Sequence, residues 1–227
     1  MIEWYEDVIK GNALKAQRLK ERSDLGERFL NRTFKNFTES RDEKAYKKCF
    51  EYAEREDLFK PATRSSEKVP ADASTLMQVG DKKDTYRNGL VLTGGYGTGK
   101  THLAAAIANN LVDKGIMVLF DTYVGHLDRL KREMDSDEPK VYLDKMKSMP
   151  MLVIDDLGKE KKTDWSQQIL FNVLNYRYEH YLPTVITTNM TPNELPKYVE
   201  GAIASRLMET FEILQMRGTD FRNAKNR

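Results

Sequence analysis

Cysteine is almost missing from this chain. Cys49 is the only one in 227 residues, which excludes an intrachain disulfide and any multi-cysteine zinc site and points to a reducing cytoplasm. Histidine is scarce as well, and the three present are too scattered to suggest a transition-metal cluster. No apolar run reaches the roughly 18 residues that a membrane-spanning helix needs. The opening stretch Met1-Ile2-Glu3-Trp4-Tyr5-Glu6-Asp7 is acidic and has no apolar segment of a secretion signal. A surplus of one charge is also lacking: 37 basic residues stand against 35 acidic ones, a net +2. Any nucleic-acid surface must therefore be local. Internal repeats and low-complexity tracts are absent. What remains is 32% charged and 40% hydrophobic residues, the make-up of a globular chain with room for one α/β domain and a smaller attachment.

The rest of the chain is organised around Gly94-Gly95-Tyr96-Gly97-Thr98-Gly99-Lys100-Thr101. This fits the phosphate-binding pattern G-x-x-x-x-G-K-[S/T], and its context fits on both sides. Before it runs Gly89-Leu90-Val91-Leu92-Thr93, a strand-length apolar run. After it, Leu103, Ile107 and Leu111 recur at helical spacing with Ala104 and Ala108 beside them. The glycines let the backbone turn its N–H groups inward around a β-phosphate, and the helix N-terminus adds its positive dipole end. Lys100 supplies a cation to the β- and γ-phosphates, and the Thr101 hydroxyl is placed for Mg²⁺. His102, directly after, is counted with this site. The pattern predicts binding of a nucleoside triphosphate.

Along the chain, residues 1–32 read as a charged helical arm with a break at Gly11-Asn12 and a thin apolar face: either a solvated helix or an arm that docks on a partner. Thr33-Phe34-Lys35-Asn36-Phe37 offers a small aromatic anchor, and residues 41–59 carry a partial helical stripe in Ala45, Cys49, Tyr52, Ala53 and Phe59. Residues 60–88 dissolve into Pro, Ser, Lys, Asp and Gly and read as an exposed loop, with a short ordered piece at 76–79. From Gly89 on, strand-like stretches (89–93, 116–121, 150–154, 183–188, 210–215) alternate with helix-like ones (100–114, 123–134, 139–148, 164–181, 200–209). That alternation predicts a parallel sheet with crossover helices. The division is an arm at 1–32 and one domain at 33–227.

Three further segments carry chemistry. Met151-Leu152-Val153-Ile154-Asp155-Asp156-Leu157-Gly158 is an apolar strand ending in two acids. Asp155 suits Mg²⁺ and Asp156 the polarising of an attacking water, although two acids at a strand end also serve simply as turn residues. An Asp reaches about one methylene less far than a Glu, which makes the water-activating role of Asp156 less secure. Thr184-Val185-Ile186-Thr187-Thr188-Asn189 is a β-branched strand closed by an amide that either senses the γ-phosphate or caps a turn before Thr191-Pro192. Ala204-Ser205-Arg206-Leu207 and Gly218-Thr219-Asp220-Phe221-Arg222 each offer a guanidinium, suited to a transferring phosphoryl group or to an ordinary surface pair. For nucleic acid, two basic stretches follow strand ends: His126, Arg129, Lys131 and Arg132 in one, Lys159, Lys161 and Lys162 in the other. A solvated face balanced by Asp128, Glu133, Glu160 and Asp164 is the plain alternative. Tyr123 is either core or a base-stacking platform.

Taken in order, the run 24–37, the loop 94–101, Val153-Ile154-Asp155-Asp156-Leu157-Gly158, Thr187-Thr188-Asn189, Ser205-Arg206-Leu207 and Gly218-Thr219-Asp220-Phe221-Arg222 resemble the DnaC/DnaI family of replicative helicase loaders. These are AAA+ ATPases related to the initiator DnaA, and the likeness covers about residues 24–227. It implies a P-loop NTPase fold, a five-stranded parallel sheet flanked by helices, with a short helical N-terminal arm and a minimal lid. It implies ATP and Mg²⁺ as cofactors and ATP-controlled delivery of a hexameric helicase onto single-stranded DNA. It makes Asn189 the sensor 1 residue, Arg222 the sensor 2 arginine acting in its own subunit, and Arg206 the arginine finger acting on a neighbour's ATP in a self-assembly. It also favours Arg129, Lys131 and Arg132 as the single-stranded DNA face. The chain departs from the family by lacking a zinc-binding cysteine cluster and by the insertion-like stretch 60–88. Two other functions share these motifs: a transposition helper ATPase of the IstB type, and an ATP-switched binding module with negligible turnover.

Overall fold

The structure is a computed structural model that describes residues 25–38, 42–59, 87–136, 141–199 and 201–218. Residues 1–24 of the arm, 60–86 of the insertion-like stretch with its piece at 76–79, and Arg222 lie outside the described residues. In chain order the elements are α1 (Glu27–Leu30), a 3₁₀ turn (Phe34–Asn36), α2 (Glu43–Glu54), β1 (Gly89–Thr93), α3 (Lys100–Asp113), β2 (Val118–Thr122), α4 (Tyr123–Met134), α5 (Tyr142–Ser148), β3 (Met151–Leu157), α6 (Asp164–Glu179), β4 (Thr184–Thr188), α7 (Leu195–Val199), α8 (Gly201–Thr210) and β5 (Phe211–Gln215). Among the described residues no helix is long and apolar enough to cross a membrane.

The strands form one sheet in the order β2-β3-β4-β1-β5, every pairing parallel. A parallel sheet is covered on both faces, so its strands read as continuous apolar runs. Side-chain alternation then sorts them. Leu90, Leu92, Val118, Phe120, Met151, Val153 and Val185 face one side, where Ala104, Ala105, Ile107 and Ala108 let α3 lie close. Val91, Leu119, Leu152, Ile154 and Ile186 face the other side, covered by Leu127 and Leu130 of α4, Leu170 and Val173 of α6 and Leu207 of α8.

The N-terminal segment joins the first of these layers. Leu25 is buried, and Phe29 packs 4.7 Å from Phe120, ring centroid to ring centroid. Asn109 of α3 donates to the carbonyls of Phe29 and Arg32 at 2.9 and 2.8 Å. The anchor residues Phe34 and Phe37 are buried and form an aromatic group with Tyr46 of α2. Asp42 caps α2 by accepting the Ala45 N–H at 3.0 Å, Thr122 caps α4 through Gly125, and Thr163 with Ser166 forms a capping box on α6. Compared with the sequence expectation, β3 runs past the apolar residues through both acids to Leu157. Its pairing with β4 slips between Ile154 and Leu157, and Asp156 adopts φ +53°. The strand thus bulges where the two acids sit, which re-aims their side chains.

Candidate nucleotide site

Strand order decides which motifs meet. β3, β4 and β1 are neighbours, and their C-terminal ends carry the acids, Asn189 and the phosphate loop respectively. In an open parallel α/β sheet that edge is where ligands bind.

The loop needs its glycines. Gly94, Gly97 and Gly99 have φ of 141°, 71° and 99°, a region that costs an L-residue energy. A Cβ on Gly94 would stand 2.5 Å from the carbonyl oxygen of Met216. Lys100 is buried and folds back into the loop, its ammonium donating to the carbonyls of Gly94 and Gly95 at 2.8 and 2.6 Å. Its cation thus lies inside the cradle of backbone that the motif builds for phosphate. His102 points away: its Nε2 lies 3.0 Å from the Thr33 carbonyl, and its ring meets Phe37 edge-on at 5.3 Å.

Asp155 links the loop to the strands. Thr101 Oγ1 donates to its Oδ1 at 2.9 Å, and Thr187 Oγ1 donates to the same oxygen at 2.5 Å. Burial pushes the Asp155 carboxyl above its usual pKa; the Thr187 hydroxyl works against this and the neighbouring charge of Asp156 adds to it. A carboxylate in that position is stabilised by a cation. Among the described residues no three His, Cys, Asp or Glu side chains cluster as a metal cage. One carboxylate and one hydroxyl beside a phosphate cradle fit Mg²⁺, which keeps waters and phosphate oxygens as its other ligands. Asp156 is half-buried, and Thr187 Oγ1 accepts its N–H at 3.0 Å. Thr187 therefore orients both acids. Its part was hidden in sequence, where it reads as one β-branched strand residue among several. Asn189 directly follows β4, the strand between β1 and β3, and is half-buried.

The remaining expected residues sit elsewhere. Arg206 lies on α8, where it donates to Asn175 Oδ1 and stacks its guanidinium 5.1 Å over the ring of Tyr178. Both partners belong to α6. In the basic helix α4, Arg129 pairs with Asp121 at 3.1 Å and lies 5.6 Å over Tyr142. Lys131 stands 5.5 Å over Trp165, and Arg132 bonds the Asp128 carbonyl at 3.3 Å. One reading is corrected here and one left open is decided. His126 is not part of a basic face: it is fully buried, between the Tyr142 hydroxyl at 2.8 Å and the Val153 carbonyl at 3.1 Å. Of the two alternatives for Tyr123, core residue or stacking platform, the core one holds: it is fully buried and its hydroxyl donates to the Ser166 carbonyl. Both lie on the face of α4 turned to the sheet; for His126 a stripe this rich in polar residues did not reveal it.

A parallel sheet of this order, with the phosphate loop after β1 and the acids on β3 two strands away, is the AAA+ form of the P-loop fold. The chain belongs to the family of IstB-like ATP binding proteins, whose family model matches residues 42–227. It is similar to XkdC of the phage-like element PBSX of Bacillus subtilis (strain 168), 30% identical over 201 residues, covering 86% of this chain and 67% of that protein. It is also similar to the replicative helicase loader DnaI of the same organism, 33% identical over 130 residues, covering 53% of this chain and 42% of DnaI. The chain thus spans less than half of DnaI. Among solved structures, the DnaC helicase loader superposes with a TM-score of 0.65 at 23% identity, covering 85% of this chain and all of that one, a likeness of fold.

Proposed function

We propose that the chain is an ATP-controlled loader that delivers a hexameric replicative helicase onto single-stranded DNA. The observation that carries this reading is the convergence of the phosphate loop, Thr101, Asp155 and Thr187 at one sheet edge, in a chain similar to a named helicase loader. In the proposed mechanism Lys100 leaves the loop carbonyls for the β- and γ-phosphates, exchanging neutral acceptors for charged ones. Thr101 and Asp155 hold Mg²⁺, whose charge offsets that of the phosphates. Asp156 orients the attacking water, Asn189 contacts the γ-phosphate, and Arg222 reaches ATP in its own subunit. Arg206 completes the site of a neighbour in a head-to-tail assembly. Single-stranded DNA passes along α4, where Lys131 and Arg132 are exposed and the charge of Arg129 is shared with Asp121. Hydrolysis loosens the grip on DNA or helicase. The working place is the cytoplasm.

The test is retention of the helicase on closed circular single-stranded DNA after a salt wash, with ATP present. The parent chain is expected to raise retention. Lys100→Ala is expected to weaken ATP binding about 100-fold, the size of one lost charge-assisted contact to phosphate, and to abolish retention. Equal retention with parent, Lys100→Ala and no added chain contradicts the proposal. The family description, which names IstB, supports a second reading, a transposition helper; preference for duplex over single-stranded DNA would favour it.

A further inference from the structure

Two side chains to which the motif pattern assigns no chemistry, Tyr96 within the phosphate loop and Lys159 after the acids, meet at the mouth of the loop. Tyr96 projects from the loop and is 58% exposed. Lys159 comes from the opposite wall, just after Gly158. Its ammonium stands 4.2 Å from the centre of the Tyr96 ring and donates to the Tyr96 hydroxyl. The backbone of the same lysine closes the turn that bears Asp156: the Lys159 N–H reaches the Asp156 carbonyl at 3.3 Å. That turn is conformationally demanding, with Asp156 at φ +53° and Gly158 at φ +91°. A Cβ on Gly158 would come 2.9 Å from Cε of Met190, so the turn is also closely backed on the β4 side. Thr187 holds the turn from behind through the Asp156 N–H, and Lys159 ties its front to the loop.

We propose that Lys159 is a positioning residue, which clasps Tyr96 and so holds the Asp156 turn at a set distance from the phosphate loop. This rests on the ATPase reading of the site. The space between loop and turn is where a γ-phosphate and its attacking water have to fit, and catalysis is sensitive to small misplacements there. An ammonium held at the hydroxyl end of an aromatic ring ties two chain segments while leaving the backbone N–H groups of the loop free for phosphate. The clasp therefore acts on turnover and leaves nucleotide affinity nearly untouched.

The experiment measures steady-state ATP hydrolysis by the assembled chain and, separately, the affinity for a fluorescent ATP analogue. It uses the parent, Lys159→Met, Tyr96→Leu, the double variant and Tyr96→Phe. Lys159→Met is expected to lower kcat about fivefold, the worth of a partly exposed cation–ring contact, with KM and analogue affinity within about twofold, and Tyr96→Leu to lower kcat by a similar factor. The double variant is expected to be no slower than either single one, because both remove the same contact. Tyr96→Phe, which keeps the ring, is expected to fall between parent and Tyr96→Leu. An unchanged kcat in Lys159→Met overturns the proposal, as do single losses that multiply in the double variant. A loss carried by affinity instead of kcat overturns it too, since Lys159 would then be touching the nucleotide. A parent chain that fails to bind the analogue, or binds it without turnover, refutes the ATPase reading itself and with it the clasp. That outcome is seen in the parent alone and is thus distinct from the others.

Discussion

Arg206→Ala is expected to leave ATP binding unchanged and to reduce hydrolysis in the assembled state to the basal rate of the isolated chain, a fall of up to about 1,000-fold, the low end of what arginine fingers supply. In the proposed function Arg206 acts in trans. Among the described residues the contacts recorded for Arg206 run to α6: the hydrogen bond to Asn175 and the stack on Tyr178. Those contacts hold a half-buried side chain in one orientation before any partner arrives, so little further ordering is required on assembly. Arg206→Lys is expected to fail nearly as badly, because an ammonium has neither the planar fork nor the stack. Mixing separates trans from cis action. An Arg206→Ala subunit has an intact loop, and a Lys100→Ala subunit has an intact finger. Together they are expected to recover turnover that neither shows alone. A rate for Arg206→Ala equal to the parent's, under conditions where the parent is assembled, contradicts the assignment.

The second large effect concerns stability. Arg177→Met is expected to cost about 3–5 kcal/mol, because it leaves several buried carbonyls without this donor at about 1–3 kcal/mol each. For a domain of this size that lowers Tm by roughly 6–20 °C. Arg177 is fully buried on α6, and among the described residues it has no carboxylate partner. Its guanidinium makes five hydrogen bonds: to Thr184 Oγ1 at 2.8 Å, to the carbonyls of Met146, Lys147 and Met149 at 3.1, 3.0 and 2.8 Å, and to that of Pro183 at 2.5 Å. Met146 and Lys147 lie in the last turn of α5, where carbonyls have no partner within the helix. Met149 leads into β3, and Pro183 and Thr184 open β4. One side chain thus donates to carbonyls at one helix end and at the N-terminal ends of two strands. Burial pushes its pKa down to about 9, still above neutral, so the fork stays charged at pH 7. Arg177→Lys keeps the charge but has fewer donors, and is expected to recover only part of the loss. Thermal unfolding followed by circular dichroism reads both variants. A Tm for Arg177→Met within about 1 °C of the parent would contradict the account.

What was legible in the chain follows from the range of the interactions involved. The phosphate loop, the apolar strand before its acids and the five strands were readable because each rests on local pattern: glycines at fixed offsets, or a run of β-branched and aliphatic residues between turns. The limits of β3 were not, because a bulge at Asp155 and Asp156 carries the strand on to Leu157. Helix α7 was missed, since Leu195-Pro196-Lys197-Tyr198-Val199 is one short turn around a proline. Arg177 looks like any surface arginine on an amphipathic helix until three other elements bring carbonyls to it. Thr187 and Lys159 owe their roles to partners 32 and 63 residues away, a distance no window of sequence spans. The N-terminal segment was read as weakly packed for a related reason. Leu25 and Phe29 join the core layer that Phe120 and α3 form, far along the chain.

The loader proposal stands or falls on a physical complex. Size-exclusion chromatography of this chain with the replicative helicase of the organism that encodes it, with and without ATP, tests it most directly. A control variant lacking residues 1–24 leaves Leu25 and Phe29 in their core positions. The account predicts one co-eluting complex whose amount depends on ATP and which is lost on removing residues 1–24. Separate elution of chain and helicase in every nucleotide state would contradict it.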